Sequence, residues 1–342
     1  MREKLERLGL KLPLLPTTTV GSFPKPPYIL EARRKFATNK LAAEELNKLE
    51  ERATREWVEF QEKVGLDVLV DGEMYRGDMA TYFANNLDGF RISGLVRSYG
   101  NRYYRKPIIA GEVKWPGPIT VDWWRFTQEL TSKPVKGMVT GPYTMMDWSF
   151  NEYYPSRREA CLALAKALHE EVKALANAGA KIIQIDEPAI SARPEELSEF
   201  AIEAMKIVTE GVDAYFINHI CYGAFEFIYP EMLKLPVDNF DLEMSNSEFD
   251  LVELFREHPF TKDLSFGVVD VHSHVVENTA TVEQRIRRAL EVLKPEQIWI
   301  DPDCGLKTRT REETVNKLKA MVKAAQDTRT QLGEEKSGRT GK

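Results

Sequence analysis

Cysteine is scarce in this sequence, with three residues among 342. In an intracellular protein thiols stay reduced, so we expect no disulfide framework. Two of the cysteines, Cys221 and Cys304, lie next to small or polar residues and not inside an apolar stripe. Cys161 lies on the apolar face of a predicted helix and is expected in the core. The first two cysteines are therefore better explained as ligands than as packing residues.

Long apolar runs and blocks of like charge are also absent. No stretch approaches the roughly eighteen apolar residues of a membrane span, and the N-terminal residues MREKLERLGLKLPLLP lack the features of a signal peptide. Lysine and arginine number 47 against 53 acidic residues, which gives a net charge of −6. We therefore expect a cytoplasmic protein that binds neither membranes nor nucleic acids.

No Gly-x-Gly-x-x-Gly pattern follows the first predicted strand, which argues against the alternative of a dinucleotide-binding, doubly wound sheet. Instead, eight apolar runs alternate with helical segments. They lie near residues 17, 67, 135, 181, 213, 238, 265 and 297. Eight such units predict an α/β fold of the (β/α)₈ TIM-barrel type.

The predicted barrel covers residues 17–327, between a lead segment at 1–16 and a disordered tail at 328–342. Residues 74–134 are rich in aromatic residues and glycine and lack helical periodicity, so we interpret them as an insertion with hairpins between strands 2 and 3. Helices are predicted at residues 41–64, 157–179, 195–210, 224–235, 248–257, 281–294 and 311–327.

The segment from 213 to 223 contains AYFINHICYG, in which an apolar run ends in His219 and Cys221. Such a pair alone is more often ordinary packing than a ligand pair. Glu243, however, closes the next apolar run, and Cys304 follows a later one. Because the carboxyl ends of barrel strands meet at one mouth, these four side chains should converge. They suit one zinc ion.

This ligand set predicts a particular chemistry. Two thiolates, a carboxylate and a neutral imidazole give zinc a net charge of about −1, a combination that disfavours harder cations such as Mg²⁺. A substrate thiol that joins the metal loses its proton and stays nucleophilic. The set therefore favours alkyl transfer to sulfur over hydrolysis, which typically uses three ligands and a water. One protein ligand must then be exchanged, and we expect it to be the carboxylate.

Further polar residues follow other predicted strands, namely Ser22, Glu73, Asp186 with Glu187, and His272. An alternative role for Asp186 is to cap the following helix. His274 lies two positions beyond His272, and alternate strand residues share a face, so the sequence leaves open which histidine faces the site.

The motifs TTTVGSFP, VDGEMYRGDM, SYGNR, GPYTMMDWSF, QIDEPA, HICYG, DVHS and DPDCGLKTR together resemble the catalytic half of cobalamin-independent methionine synthases, from about residue 17 to 325. The resemblance implies a methyltransferase that converts L-homocysteine to L-methionine. It also implies one Zn²⁺ per chain on His219, Cys221, Glu243 and Cys304.

The resemblance assigns further roles by motif. His272 would protonate the departing donor, since an amine leaving group needs a proton. An ammonium group pairs with carboxylates, and a carboxylate pairs with backbone N–H groups. The residues implied to hold the amino-acid part of homocysteine are Val20, Gly21, Ser22, Glu73 and Asp186.

The methyl donor is less defined. Arg102 and Trp148 match the family's donor-binding positions, but Tyr103 replaces the usual Cys and Ala192 the usual Glu. Typical members also have a second, N-terminal barrel, so this chain resembles the short archaeal type. We expect the donor to be methylcobalamin, a methylated corrinoid protein or a pterin. Alternatives are alkyl transfer to or from another thiol, such as coenzyme M, or a non-catalytic zinc-binding subunit in a corrinoid system.

Overall fold

The computed structural model describes residues 2–97, 103–221, 223, 225–245 and 251–339. The helices are α1 (Arg2–Arg7), α2 (Pro27–Ala37), α3 (Ala43–Val64), α4 (Met79–Asn85), α5 (Val121–Glu129), α6 (Pro142–Asp147), α7 (Arg157–Ala178), α8 (Pro194–Glu196), α9 (Ile202–Thr209), α10 (Leu251–Glu257), α11 (Thr279–Leu290) and α12 (Arg311–Arg339). A π-helical segment, Leu197–Ala201, joins α8 to α9.

The strands are β1 (Asp88–Arg97), β2 (Tyr103–Lys114), β3 (Gly137–Thr140), β4 (Phe150–Asn151), β5 (Ile182–Asp186), β6 (Tyr215–Ile220), β7 (Asn239–Leu242), β8 (Asp263–Val269) and β9 (Ile298–Pro302). Within the described residues, no helix is both long enough and apolar enough to cross a membrane.

The main sheet has the hydrogen-bonded order β3-β5-β6-β7-β8-β9. Pairing is parallel between β3 and β5, between β5 and β6, and between β8 and β9. Two isolated parallel bridges supply the remaining positions, Thr17 with Ile300 and Leu69 with Val135. The eight predicted strand positions are therefore present, and the predicted (β/α)₈ fold is confirmed.

The first two predicted strands are shorter than expected, since each is reduced to a single bridge. Pro16 and Pro134 stand directly before Thr17 and Val135. The carbonyls of Pro16 and Pro134 accept from the N–H groups of Ile300 and Leu69 at 2.9 Å each, but proline has no N–H to donate and so cannot continue the ladder as a donor. Asp67 partly replaces the missing ladder, because its carboxylate accepts from both the N–H and the hydroxyl of Thr17, at 2.8 and 2.9 Å.

The chain divides into two compact units. Unit 1 comprises Met1–Tyr75, Thr127–Val135 and Asp241–Lys342, and unit 2 comprises Arg76–Phe126 and Lys136–Phe240.

In unit 2, helix α7 forms where the sequence predicts it. Ser156 accepts a hydrogen bond from the N–H of Glu159 and caps its start, and Gly179 ends it in a left-handed conformation with φ of 115°. Its buried face includes Cys161, which lies in the core as predicted. Burial raises the pKa of that thiol well above its usual range. Cys161 is therefore a packing residue.

The insertion contains the predicted hairpin, formed by antiparallel pairing of β1 with β2. The sequence reading missed two helices there, α4 and α5. Val121 and Trp124 are buried one helical turn apart on α5, so the aromatic sequence VDWWRF does have a helical face. The buried carboxylate of Glu171 on α7 anchors this region, because it accepts hydrogen bonds from the backbone N–H groups of Ile119 and Thr120 at 2.8 and 2.7 Å.

Two other helix predictions were inaccurate. The predicted helix at 224–235 is replaced by short 3₁₀ turns at Phe225–Phe227 and Glu231–Lys234, since Pro230 lies between them and cannot continue an α-helix. Helix α12 continues to Arg339 instead of ending near residue 327. Arg329 on this extension donates to the carbonyl of Leu15 at 2.8 Å and contacts the Asp67 carboxylate, which fixes the extra turns to the N-terminal part of unit 1.

Candidate active site and metal centre

In unit 1, Ser22 packs directly against the turn that follows Cys304. The N–H of Leu306 donates to the carbonyl of Ser22 at 2.7 Å. A Cβ added to Gly305 would lie 2.1 Å from Ser22 Oγ, well inside contact distance. Glycine at 305 therefore lets the Cys304 turn approach the Val20–Gly21–Ser22 segment, in which Val20 and Ser22 are buried.

Glu73 is buried and has a left-handed backbone conformation, with φ of 59°. A non-glycine residue in this region costs about 1 to 3 kcal/mol and persists only where its surroundings impose it. Asp71 imposes it here. Its carboxylate accepts from the Glu73 N–H at 2.8 Å and from the Tyr75 hydroxyl at 2.9 Å. The N–H of Phe23 donates to the carbonyl of Gly72 at 3.1 Å, which brings Glu73 near the Ser22 segment.

Glu243 follows β7 and is buried, and its Oε1 lies 3.1 Å from His272 Nε2. The side chain of His272 is 28% exposed. The interaction with Glu243 raises the pKa of the His272 imidazole, partly opposed by its burial. The structure thus pairs a predicted metal ligand with the predicted proton donor.

The structure also distinguishes the two histidines of the DVHSH motif. His274 is 72% exposed, and its Nδ1 lies 2.8 Å from Oε1 of Glu313 on α12. His272 is the histidine beside Glu243. The exchange of roles that the sequence left open is therefore not favoured by this geometry.

Asp303, the neighbour of Cys304, was not singled out from the sequence. Its Oδ1 accepts from the N–H groups of Met244 and Ser245, at 3.1 and 2.9 Å. Burial raises its pKa to about 7. A Cβ at Gly267 would lie 2.3 Å from Asp303 Oδ1, so only glycine leaves room for this carboxylate. Asp303 thereby joins the segments that carry Glu243 and Cys304.

In unit 2, Asp186 lies at the end of β5 and is paired in register with His219 on β6. Its Oδ1 accepts from Gln184 Nε2 at 2.7 Å, and its Oδ2 lies 3.8 Å from Arg76 Nη2. Arg76 is 1% exposed. A buried arginine near a buried carboxylate is a functional candidate that sequence reasoning missed, although it lies within the VDGEMYRGDM motif.

Glu187, the next residue, has a different structural role. Its carboxylate accepts from the N–H groups of Tyr143 and Thr144 at 3.0 and 2.7 Å, at the start of α6. A Cβ at Gly141 would lie 2.2 Å from Glu187 Oε1. Glu187 therefore caps the start of α6, whose C-cap residue is Trp148, and burial raises the pKa of Glu187 to about 7.

The positions assigned to the methyl donor are only partly visible. Trp148 is half-buried at the end of α6. Tyr103 begins β2, but its side chain is outside the described residues, as is the whole of Arg102. Ala192 lies in the turn after β5, where its N–H donates to the carbonyl of Ala189 at 2.9 Å.

His219 and Cys221 are buried at the end of β6. In unit 1, Cys304 follows β9 and is half-buried. An imidazole and two thiols are the ligand types that zinc prefers, so the residues present fit a zinc ion.

Comparisons with known proteins show the family to which the chain is related. The family model described as "Cobalamin-independent synthase, Catalytic domain" matches residues 15–327. The methionine synthase of Saccharolobus solfataricus is 39% identical over 323 residues, which are 94% of this chain and 97% of that protein.

The 5-methyltetrahydropteroyltriglutamate–homocysteine methyltransferase of Flavobacterium johnsoniae is 41% identical over 339 residues, which are 96% of this chain but 44% of that protein. Among solved structures, a B12-independent methionine synthase from Shewanella sp. W3-18-1, in complex with selenomethionine, superposes with a TM-score of 0.83. The two sequences are 29% identical, and the superposition covers 93% of this chain and 99% of the Shewanella chain.

Proposed function

Since the chain belongs to the family of cobalamin-independent methionine synthases, we propose that it transfers a methyl group to the thiol of L-homocysteine and thereby forms L-methionine. The observation that carries this proposal is the pair His219 and Cys221, both buried where β6 ends in unit 2. A methyltransferase of this family acts on sulfur, and His219 and Cys221, with Cys304 after β9, offer the soft ligands that a thiol-binding metal requires.

The metal would be one zinc ion held by His219, Cys221 and Cys304, with Glu243 as the fourth and exchangeable ligand. When bound, zinc lowers the pKa of a substrate thiol and keeps its sulfur nucleophilic. The proximity of His272 to Glu243 supports an exchangeable role for this carboxylate, because the imidazole offers it an alternative partner.

The amino-acid part of homocysteine would be held by charge and by backbone N–H groups. Glu73 and Asp186 are buried carboxylates suited to a substrate ammonium, and the turn at Gly21 and Ser22 offers N–H groups to its carboxylate. The strained conformation of Glu73 supports this role, since such strain is concentrated at functional positions. The Shewanella relative was solved with selenomethionine, an analogue of methionine, which also agrees.

His272 would protonate the departing group when the donor is a pterin. In that step a bond forms between the methyl carbon and sulfur, the bond from methyl carbon to donor nitrogen breaks, and the nitrogen takes a proton. His272 is partly exposed, which leaves its ring accessible to a bound donor.

The donor itself is proposed to be methylcobalamin, a methylated corrinoid protein or a pterin other than the triglutamyl folate. The chain covers only 44% of the Flavobacterium protein that is named for methyltetrahydropteroyltriglutamate, whereas it covers 97% of the Saccharolobus methionine synthase. The chain thus aligns over nearly the full length of the relative that is not named for the triglutamyl donor, which supports a different donor.

Metal analysis combined with methyl transfer assays tests the proposal. We expect one zinc per chain and methionine formation from homocysteine, and we expect Cys304→Ser to lose both. Cys161→Ser is the matched control, because this buried thiol lies on α7 and is not one of the proposed ligands. A protein without zinc, or a Cys304→Ser variant with full metal and activity, would refute the proposal.

A substrate panel separates this function from alkyl transfer to another thiol. Coenzyme M lacks the ammonium that Glu73 and Asp186 are proposed to bind, so we expect homocysteine to be the better acceptor by far. X-ray absorption at the zinc edge addresses the non-catalytic alternative. A sulfur count that stays constant on addition of homocysteine would favour a structural metal site.

A further inference from the structure

Lys317 on α12 is a lysine whose side chain is entirely buried. Its Nζ donates to the carbonyl of Asp270 at 2.9 Å, to the carbonyl of Val275, and to Oε2 of Glu277 at 2.8 Å. An ammonium has three protons to donate, so its hydrogen-bonding capacity is filled. Because burial of a charge is costly unless the charge is paired and hydrogen-bonded, this complete set of partners explains how Lys317 is tolerated.

All three partners belong to the loop at residues 270–277, which carries His272. Glu277 Oε1 accepts from the Asp270 N–H at 2.8 Å, so the two ends of the loop are joined to each other as well as to Lys317. Asp270 Oδ1 in turn accepts from the N–H of His272 at 2.7 Å. A continuous chain of hydrogen bonds therefore runs from the buried ammonium to the backbone of His272.

Two further contacts hold the same loop. Arg285 Nη1 donates to the carbonyl of Val268 at 2.8 Å and to Glu277 Oε1 at 3.3 Å. Glu313, one helical turn before Lys317 on α12, contacts the ring of His274. Its pKa is lowered to about 2, chiefly by the hydrogen bond from the Thr310 N–H and further by His274. Glu313 and Lys317 on α12 and Arg285 on α11 thus all contact this loop.

We propose that Lys317 and Glu277 form a positioning pair that fixes the ring of His272 beside Glu243. The inference rests on the proposed function, in which His272 delivers a proton to the departing donor. The side chain of His272 is 28% exposed, and its backbone N–H is held by Asp270 Oδ1 at 2.7 Å. Its position depends on the backbone of its loop, and that backbone is held by the buried ion pair.

The first test replaces the ammonium by an apolar group of similar length, in Lys317→Met. With a methylated pterin donor we expect kcat to fall roughly tenfold to a hundredfold, because a displacement of about 1 Å in a catalytic group can have an effect of this size. The KM for homocysteine and the zinc content should stay at wild-type values. Lys323→Met is the matched control, since Lys323 lies on the same helix but is exposed and paired with Asp327.

A second pair of variants tests whether a general loss of stability could explain the fall in kcat. Glu277→Gln keeps the shape of the acceptor and removes the ion pair, so it should reproduce the effect of Lys317→Met in milder form. Glu171→Gln removes the charge of a buried carboxylate that accepts several hydrogen bonds in unit 2, away from this loop. It should lower the melting temperature without a change in kcat.

Two measurements separate positioning from a merely structural role. In a His272→Asn background, Lys317→Met should change kcat by no more than about twofold, since the group that it positions is already gone. In protein labelled with ¹⁵N at its five histidines, Lys317→Met should shift or broaden the His272 imidazole signal selectively.

Multiplicative effects in the double variant, or wild-type kcat with an unchanged His272 signal in Lys317→Met, would overturn the proposal. If the wild-type protein forms no methionine, the proposed function fails, whereas the imidazole spectrum still decides whether Lys317 positions His272.

Discussion

His272 Nε2 and Glu243 Oε1 lie 3.1 Å apart in unit 1, so the proposed proton donor contacts the proposed exchangeable ligand. Glu243 would help to hold the metal, and the imidazole of His272 offers its carboxylate a second partner. One contact thereby links the two proposed roles. A substitution of either residue should affect both proton donation by His272 and metal ligation by Glu243.

His272→Asn should affect the two kinds of donor differently. A pterin nitrogen must be protonated on departure, whereas a cobalamin leaves as a reduced cobalt centre that needs no proton. We expect transfer from a pterin to fall by roughly 10²-fold or more, the usual contribution of a general acid, and transfer from methylcobalamin to fall much less. Single-turnover rates with each donor measure this.

His274→Asn serves as the control, because His274 is exposed and contacts Glu313. Equal losses with both donors would instead indicate that His272 orients homocysteine.

Donor preference should depend on position 192. Alanine at this position cannot accept a hydrogen bond from the donor edge of a pterin, and loss of a charged hydrogen bond costs about 1.5 to 3 kcal/mol. We expect methylcobalamin or a modified pterin to support faster turnover than triglutamyl methyltetrahydrofolate, and Ala192→Glu to improve the use of the folate. Ser191→Glu adds the same charge one residue earlier and should not. A strong folate preference in the wild-type enzyme would contradict this prediction.

Glu73 should contribute to the binding of homocysteine and not to the stability of the fold. Glu73→Gly relieves the left-handed backbone and should leave the protein as stable or about 1 kcal/mol more stable, yet raise the KM for homocysteine. Glu73→Gln should raise the KM without the gain in stability. Asn39→Gly is a matched control, since Asn39 has φ of 54° and lies on an exposed turn. Denaturant titrations and initial rates give both quantities, and an unchanged KM in both Glu73 variants would remove Glu73 from the substrate site.

Glu187 should make stability depend on pH. Burial raises its pKa to about 7 from a usual value of 4.5. The contribution of Glu187 to the free energy of unfolding is therefore present in full below pH 4.5 and is lost as the pH rises through 7. From pH 5 to pH 8, the free energy of unfolding of the wild type should fall by roughly 2 to 3 kcal/mol relative to that of Glu187→Gln. Urea titrations across this range measure the difference, and parallel curves for the two proteins would contradict the raised pKa.

Local patterns predicted those elements whose signals lie within one segment. Helix α3 has apolar residues at spacings of three and four and ends at Gly65, whose φ is 92°. Helix α7 has its own cap and terminal glycine. The strands followed from apolar runs between helices. By contrast, the continuation of α12 depends on Arg329 and its contacts with Leu15 and Asp67, which are far away in sequence.

The same distinction applies to the site. His219, Cys221 and Cys304 could be proposed as ligands because ligand chemistry is visible in residue type and in position at strand ends. Asp303, Arg76 and Lys317 were missed. Each acts through partners from other segments, and a lone aspartate, arginine or lysine in a sequence is typical of a solvated surface. Only burial shows that these charges are held in place.

The bridge between Thr17 and Ile300 has a consequence for the order of assembly during synthesis. Ile300 is synthesised long after Thr17, so this seam stays open until translation has passed residue 300. The segment at Thr17 therefore remains without its final strand neighbour during synthesis, and contacts so distant in sequence form slowly. Hydrogen exchange at Thr18, whose N–H donates across the seam to Ile300, should therefore report the last closing event.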